Sequence, residues 1–157
     1  MKEIKIENPE TSFERLGRSR LDNRSRNSSI GIQAMVVDNN PDALYASADM
    51  LNRLGYSVCT YGTSVDALFH AAHNEMALFL IEIGMPEING YQLGRQVKSQ
   101  FPKARVVIMC AVKGGVSPEQ LGDHAIDGWL FKPILLKNLM GVLIRAGLPI
   151  GLLEAPR

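Results

Sequence analysis

The chain has 157 residues and a formal net charge of +1, with 46% hydrophobic and 6% aromatic residues. That size suits one core of ordinary domain dimensions plus a tail, and the balanced charge argues against a molecule that binds nucleic acid or membrane surfaces through its overall field. No apolar stretch reaches the roughly 20 residues of a membrane span and the polar amino terminus lacks the apolar core of a signal peptide, so the chain is expected in the cytosol.

Residues 1–30 are polar, with Arg15, Arg18, Arg20, Arg24 and Arg26 interleaved with Ser19, Ser25, Ser28 and Ser29. Such a segment cannot bury enough apolar surface to fold alone and reads as a disordered tail or linker. A nucleic-acid contact or a phosphorylatable docking segment is its functional alternative. Phe13–Leu21 has the composition for a turn or two of helix. The body then runs over residues 31–148. Gln33–Val37 reads as a strand and Pro41–Leu54 as a helix, with Leu44, Ala48, Leu51 and Leu54 at helical spacing. Asn40 is placed to cap this helix, Pro41 to open it and Gly55 to end it. Tyr56–Tyr61 is the second strand, and Thr63 or Ser64 caps a helix reaching about His73. Ala77–Glu82 is apolar on both faces and therefore central. Asn89–Gln100 is a helix, Arg105–Cys110 a strand, Ser117–Leu121 a short helix, Ile126–Phe131 the fifth strand and Leu135–Ala146 the last helix. Residues 149–157 form a carboxyl-terminal tail whose Ile150, Leu152 and Leu153 suit folding back on the body or joining an interface.

Five strands alternating with five helices require right-handed crossovers and a parallel sheet covered on both faces. The expected fold is a doubly wound, flavodoxin-like α/β sheet in the order 2-1-3-4-5. In that order Cys59 and Cys110 lie three strand steps apart, roughly 14 Å, beyond the about 7 Å between Cα atoms that a disulfide spans. Reduced thiols are expected.

Three strand ends stop on polar residues followed by turn formers: Val36-Val37-Asp38-Asn39-Asn40-Pro41, Leu80-Ile81-Glu82-Ile83-Gly84-Met85-Pro86 and Leu130-Phe131-Lys132-Pro133. In a parallel sheet these carboxyl ends are where ligands bind. The pattern resembles the receiver domain of two-component response regulators, with an acidic pair after strand 1, a phosphoacceptor aspartate after strand 3 and a lysine after strand 5. The loop Gly84-Met85-Pro86-Glu87-Ile88-Asn89-Gly90 is similar to the family's Met-Pro-x-x-x-Gly turn, where Gly90 supplies the backbone freedom of the turn. Lys132-Pro133 matches a pair whose peptide is cis in the family, and Trp129 matches the switch aromatic.

The resemblance also locates the departures. Glu82 stands at the phosphoacceptor position, Asn39 at the second acidic position, and Cys110 where a Ser or Thr hydroxyl contacts the phosphoryl group. Phosphoryl transfer from phosphohistidine needs Mg²⁺, an in-line nucleophile and donors for the remaining oxygens. Mg²⁺ demands near-octahedral oxygens at about 2.0–2.1 Å. The resemblance gives Asp38, Asn39, Glu82 and Gly84 as its weakened or empty site. Glu82 carries an extra methylene, roughly 1.5 Å of reach, and a thiol is a poor donor. The expectation is a non-enzymatic, cofactor-free receiver in which Glu82 pairs with Lys132 and signalling does not depend on phosphorylation. A Mg²⁺-dependent receiver with residual phosphorylation is the alternative, and another ligand in the acidic pocket a third.

The partner is expected to be a protein or a second copy, docked on the face of the short helix, the fifth strand and the last helix, with a histidine kinase upstream. Trp129 is either exposed there or a core aromatic, and Leu135, Leu136, Leu139, Met140 and Leu143 exceed one buried stripe. His70, His73 and His124 have no metal-ligand spacing with the cysteines. Gly114-Gly115 lacks the Lys-Ser/Thr continuation of a nucleotide loop, and no phosphate-binding loop follows the first strand, which disfavours a flavin or nucleotide enzyme.

Overall fold

Apolar residues alternate between two faces along the strands, and that alternation decides the layers. The structure, a computed structural model, describes residues 30–111 and 115–151. Its elements are β1 (Gln33–Val37), α1 (Pro41–Arg53), β2 (Ser57–Tyr61), α2 (Ser64–Ala71), β3 (Leu78–Glu82), α3 (Gly90–Gln100), β4 (Arg105–Cys110), α4 (Pro118–Leu121), β5 (Gly128–Phe131) and α5 (Leu136–Arg145). The five strands form one sheet in the order β2-β1-β3-β4-β5, and every neighbouring pair is parallel. Met35, Val37, Phe79, Ile81, Val106 and Ile108 face α2 and α3, where Ala67, Leu93 and Val97 complete one core. Ala34, Val36, Leu78, Leu80, Val107 and Met109 face α1 and α5, where Leu44, Leu51, Leu139 and Leu143 complete the other. Both faces of β3 are buried throughout, which is why that run shows no polar alternation.

The helices begin where side chains can satisfy their first amides. Asn40 Oδ1 accepts from the amides of Asp42 and Ala43 at 3.0 and 3.2 Å, Thr63 caps α2, and reciprocal capping boxes of Asn89 with Gln92 and Ser117 with Gln120 open α3 and α4. Pro41 and Pro118 occupy first-turn positions that need no donor. Helix α2 stops at Ala71, two residues short of the expected His73; the next turn tightens as the His73 amide donates to the His70 carbonyl at 3.1 Å. Strand β5 begins at Gly128 rather than Ile126. The preceding Asp127 is held by its side chain, which accepts from the Val106 amide at 2.8 Å and from Lys98 Nζ at 2.6 Å.

The expected helix over Phe13–Leu21, and Leu152 and Leu153, lie outside the described residues, as does Gly114. Ile150 packs against the α1 and α5 core. The Gly151 amide donates to the Leu54 carbonyl at 2.9 Å, and the Tyr56 hydroxyl donates to the Pro149 carbonyl at 2.7 Å. No helix among the described residues is long and apolar enough to cross a membrane.

Candidate functional site at the strand carboxyl ends

Parallel pairing brings the three polar strand ends side by side. Val37 is opposite Ile81, Glu82 opposite Met109 and Cys110 opposite Phe131, while the Lys132 amide donates to the Cys110 carbonyl at 2.7 Å. Asp38 and Glu82 extend the alternation of Ala34–Val36 and Leu78–Leu80, so both carboxylates belong to the same side of the sheet. The Lys132–Pro133 peptide is cis, as the resemblance implies.

Lys132 Nζ sits between the two carboxylates. It donates to Asp38 Oδ2 at 3.0 Å and lies 2.6 Å from Glu82 Oε2. The second contact is the shorter of the two and places the ammonium directly against the glutamate carboxylate. The remaining oxygens are held by backbone: the Asn40 amide donates to Asp38 Oδ1 at 2.9 Å, and the Gly84 amide donates to Glu82 Oε1 at 3.3 Å. Asp38 is 1% exposed and Glu82 8%. Burial opposes the charge on Lys132, yet the contacts with Glu82 and then Asp38 outweigh it and raise the lysine pKa above its ordinary 10.5. The three side chains form one partly desolvated cluster with a net negative charge.

Of the positions singled out in the sequence, Asp38, Glu82 and Lys132 meet directly, while Cys110 is buried in the core under α2 and α3, near enough for the charges of Glu82 and Lys132 to act on its thiol. Burial pushes the Cys110 thiol up to about 11, Glu82 adding to the rise and Lys132 opposing it. Asn39 and Gly84 are exposed at the rim. The sequence indicated the pairing of Glu82 with Lys132 but not the second contact to Asp38, whose signal was only its place at a neighbouring strand end. Mg²⁺ would need several hard oxygens free to close around it. Here both carboxylates are turned onto an ammonium and the neighbouring position is a neutral amide, so the residues as arranged do not fit a Mg²⁺ site. Among the described residues no group of three or more His, Cys, Asp and Glu side chains is placed to hold a metal.

The role expected of Gly90 is corrected. The left-handed residue of the β3–α3 loop is Glu87, with φ 66°, whereas Gly90 opens α3. A Cβ there would lie 2.0 Å from the Glu82 carbonyl oxygen. Close approach, not turn geometry, demands the glycine. Trp129 is half-buried and packs against the α2 and α3 core. Its ring lies 6.4 Å from that of Tyr91, 25° from parallel, while the Tyr91 hydroxyl donates to Asp123 Oδ2. Nothing local in the sequence points to that partner. In α5, Leu139 and Leu143 are buried and Leu136 and Met140 pack against the core, leaving Leu135 at the helix start 47% exposed.

Cys110 carries a prediction of its own. Its thiol should resist iodoacetamide at pH 8 in the native protein and react on unfolding, as followed by peptide mass spectrometry. The unfolded thiol loses its proton near the ordinary 9.0, whereas the native one retains it to about 11. The native state therefore loses relative stability as pH rises between those values. Cys110→Ala should flatten that part of an alkaline urea-denaturation series; an unchanged slope would refute the assignment.

The fold and site define a doubly wound signalling-type α/β domain with its polar cluster at the strand carboxyl ends. The family model "Response regulator receiver domain" matches residues 34–144, and the chain belongs to that family, the receiver domains of two-component phosphorelay systems. Receiver domains are signalling modules that work with histidine kinases and other proteins. Among curated relatives, the protein PilG of Pseudomonas aeruginosa is 29% identical over 76% of this chain and 89% of its own length. The sensor histidine kinase RcsC of Salmonella typhi is 28% identical over 76% of this chain. The chain spans only 13% of RcsC and 19% of the Burkholderia thailandensis kinase AtsR. Among solved structures, a CheY-like receiver domain from Methylobacillus flagellatus superposes with a TM-score of 0.67 at 21% identity, covering 73% of this chain and 98% of that one.

Proposed function

We propose that this receiver is a protein-interaction module whose output does not pass through phosphorylation of residue 82. The supporting observation is the Lys132 ammonium lying 3.0 Å from Asp38 and 2.6 Å from Glu82. A nucleophilic carboxylate oxygen must be free to approach phosphorus in line. Glu82 Oε2 instead faces the ammonium, and Oε1 accepts from the Gly84 amide. The lysine, which in the family pattern would meet the phosphoryl group, is already neutralised by carboxylates. The pocket holds a charge arrangement of its own, and α4, β5 and α5 offer the surface through which a protein partner or a second copy reads it. Leu121 and Leu135 are 45% and 47% exposed there, and charge-poor apolar residues are what an interface core favours. A cytosolic place of action accompanies this reading.

Incubation with acetyl phosphate and Mg²⁺ should leave the intact mass unchanged. A gain of one phosphoryl group on residue 82 would overturn the proposal. Glu82→Asp combined with Asn39→Asp shortens the reach by roughly 1.5 Å and adds a hard anionic ligand, so this variant should gain Mg²⁺ affinity in a calorimetric titration. Failure to gain it would assign the defect to Cys110 or to the loop.

A further inference from the structure

The amino ends of the strands, opposite the charged cluster, hold a groove that plays no part in the site described above. It has a volume of about 740 Å³ and runs across the start of β1, the turn before β3 and the turn joining α3 to β4. Ile32, Met76, Ala77, Phe101, Pro102 and Ala104 give it a mostly apolar lining, and its size falls within the roughly 300 to 1,000 Å³ of pockets that enclose a ligand. Its walls are tied to one another through backbone groups. The Ala77 amide donates to the Gln33 carbonyl at 2.9 Å, and the Arg105 amide to the Ala77 carbonyl at 2.8 Å. Lys98 Nζ donates to the Ala104 carbonyl at 2.7 Å. A groove framed in this way is formed before anything enters it. The rim carries one charge of each sign, Glu75 and Lys103, both exposed.

We propose that this groove is the docking site of the chain's own Phe13–Leu21 segment. Residues 1–29 run directly into its wall, because Gly31, Ile32 and Gln33 line the groove where the body begins. Phe13 is the only aromatic residue among those 29, and Leu16 follows it by three, a spacing that puts two side chains on one helical face. Glu14 and Arg15 lie between them, charges that suit a rim holding Lys103 and Glu75. Nine residues, Asp22 to Ile30, separate Leu21 from Gly31. Ten Cα steps reach roughly 33 Å, whereas crossing the three neighbouring strands β1, β3 and β4 takes roughly 10 Å. A segment tethered so closely works at an effective concentration on the order of 1 mM, far above that of a second copy in dilute solution. The segment's composition gives it too little apolar surface to fold alone, and the groove supplies the missing apolar contact. The proposal is independent of the reading of residue 82.

The probe is a synthetic peptide of residues 11–23, added to the full chain and followed through backbone amide shifts in NMR. In Phe13→Asp/Leu16→Asp the resident segment is disabled, so this variant should bind the peptide with a Kd of about 0.1 mM. The shifts should centre on Ala77, Phe101 and Ala104. The wild type should bind it about tenfold more weakly, because its own segment competes at an effective concentration on the order of 1 mM. Equal affinity for the two proteins would overturn the proposal, as would shifts centred on the strand carboxyl ends or no saturable binding to the double variant. Brief trypsin digestion supplies a second readout that needs no added peptide. In the wild type, cleavage after Arg15 and Arg18 should lag behind cleavage after Arg24 and Arg26, and the lag should vanish in Phe13→Asp/Leu16→Asp. A lag that fades as the protein is diluted would assign the groove to a second copy and defeat the proposal.

Discussion

Lys132→Met is expected to lower the unfolding free energy by about 3 to 5 kcal/mol, the usual loss when one partner of a buried ionic cluster is removed. The wild-type ammonium is 3.0 Å from Asp38 and 2.6 Å from Glu82, and the carboxylate side chains retain only 1% and 10% of their exposure. Deleting the lysine leaves two desolvated anions facing one another. Glu82→Gln alone keeps the Lys132–Asp38 bond and should cost less, about 1 to 2 kcal/mol. The double variant Lys132→Met/Glu82→Gln should be more stable than the sum of the single losses implies, because the uncompensated carboxylate is gone. Urea denaturation at pH 7 with unchanged m-values gives these differences; a Lys132→Met loss below about 1 kcal/mol would mean that solvent screens the cluster. The pH dependence carries a sign. The folded lysine pKa is raised, so its contribution is complete below the unfolded value of about 10.4 and is lost as pH climbs through the folded value. The gap between wild type and Lys132→Met should therefore narrow above about pH 10.4.

Gly90→Ala is the second large effect and comes from backbone, not charge. The added Cβ would stand 2.0 Å from the Glu82 carbonyl oxygen, 2.6 Å from the Glu82 carbonyl carbon and 2.7 Å from the Ile83 Cα. None of those atoms can move by a side-chain rotation, and the Gly90 amide is itself tied to the Ile83 carbonyl at 2.9 Å. Either α3 lifts away from the end of β3 or the strand end that carries Glu82 shifts. Overpacking costs about 1 to 3 kcal/mol where side chains can adjust, and more than 3 kcal/mol is expected here. Gly84→Ala in the same loop is the control. Its nearest neighbour is Glu82 Oε1 at 3.4 Å, an ordinary contact, and its effect should stay within about 1 kcal/mol. Equal melting temperatures for the two variants would refute the close-approach account of Gly90.

Much of the fold was legible because its signals are local. Asn40 and Pro41 opened the first helix as their capping chemistry said they would, the expected helix starts at Asn89 and Ser117 proved to be caps, and Arg105–Cys110 matched the fourth strand residue for residue. Boundaries slipped where tertiary bonds compete, as at Asp127, whose carboxylate is drawn to Val106 and Lys98 and whose strand starts one residue later. The glycine of the loop was recognised but misread. Sequence shows that a side chain is absent at residue 90, not what would have struck it.

Sequence by itself determined that Asp38, Glu82 and Lys132 end three strands of one parallel sheet, because strand period and turn formers are encoded within a few residues. It also supplied the substitution of glutamate, asparagine and cysteine at positions where the family pattern has other chemistry. Only the tertiary structure decided which oxygen faces which charge. Asp38 and Lys132 are 94 residues apart in the chain, and their meeting depends on strand order, on the backbone amides that turn each carboxylate and on a reach of the lysine that no local pattern records. Those contacts are set by packing between distant segments, which no pattern of neighbouring residues encodes.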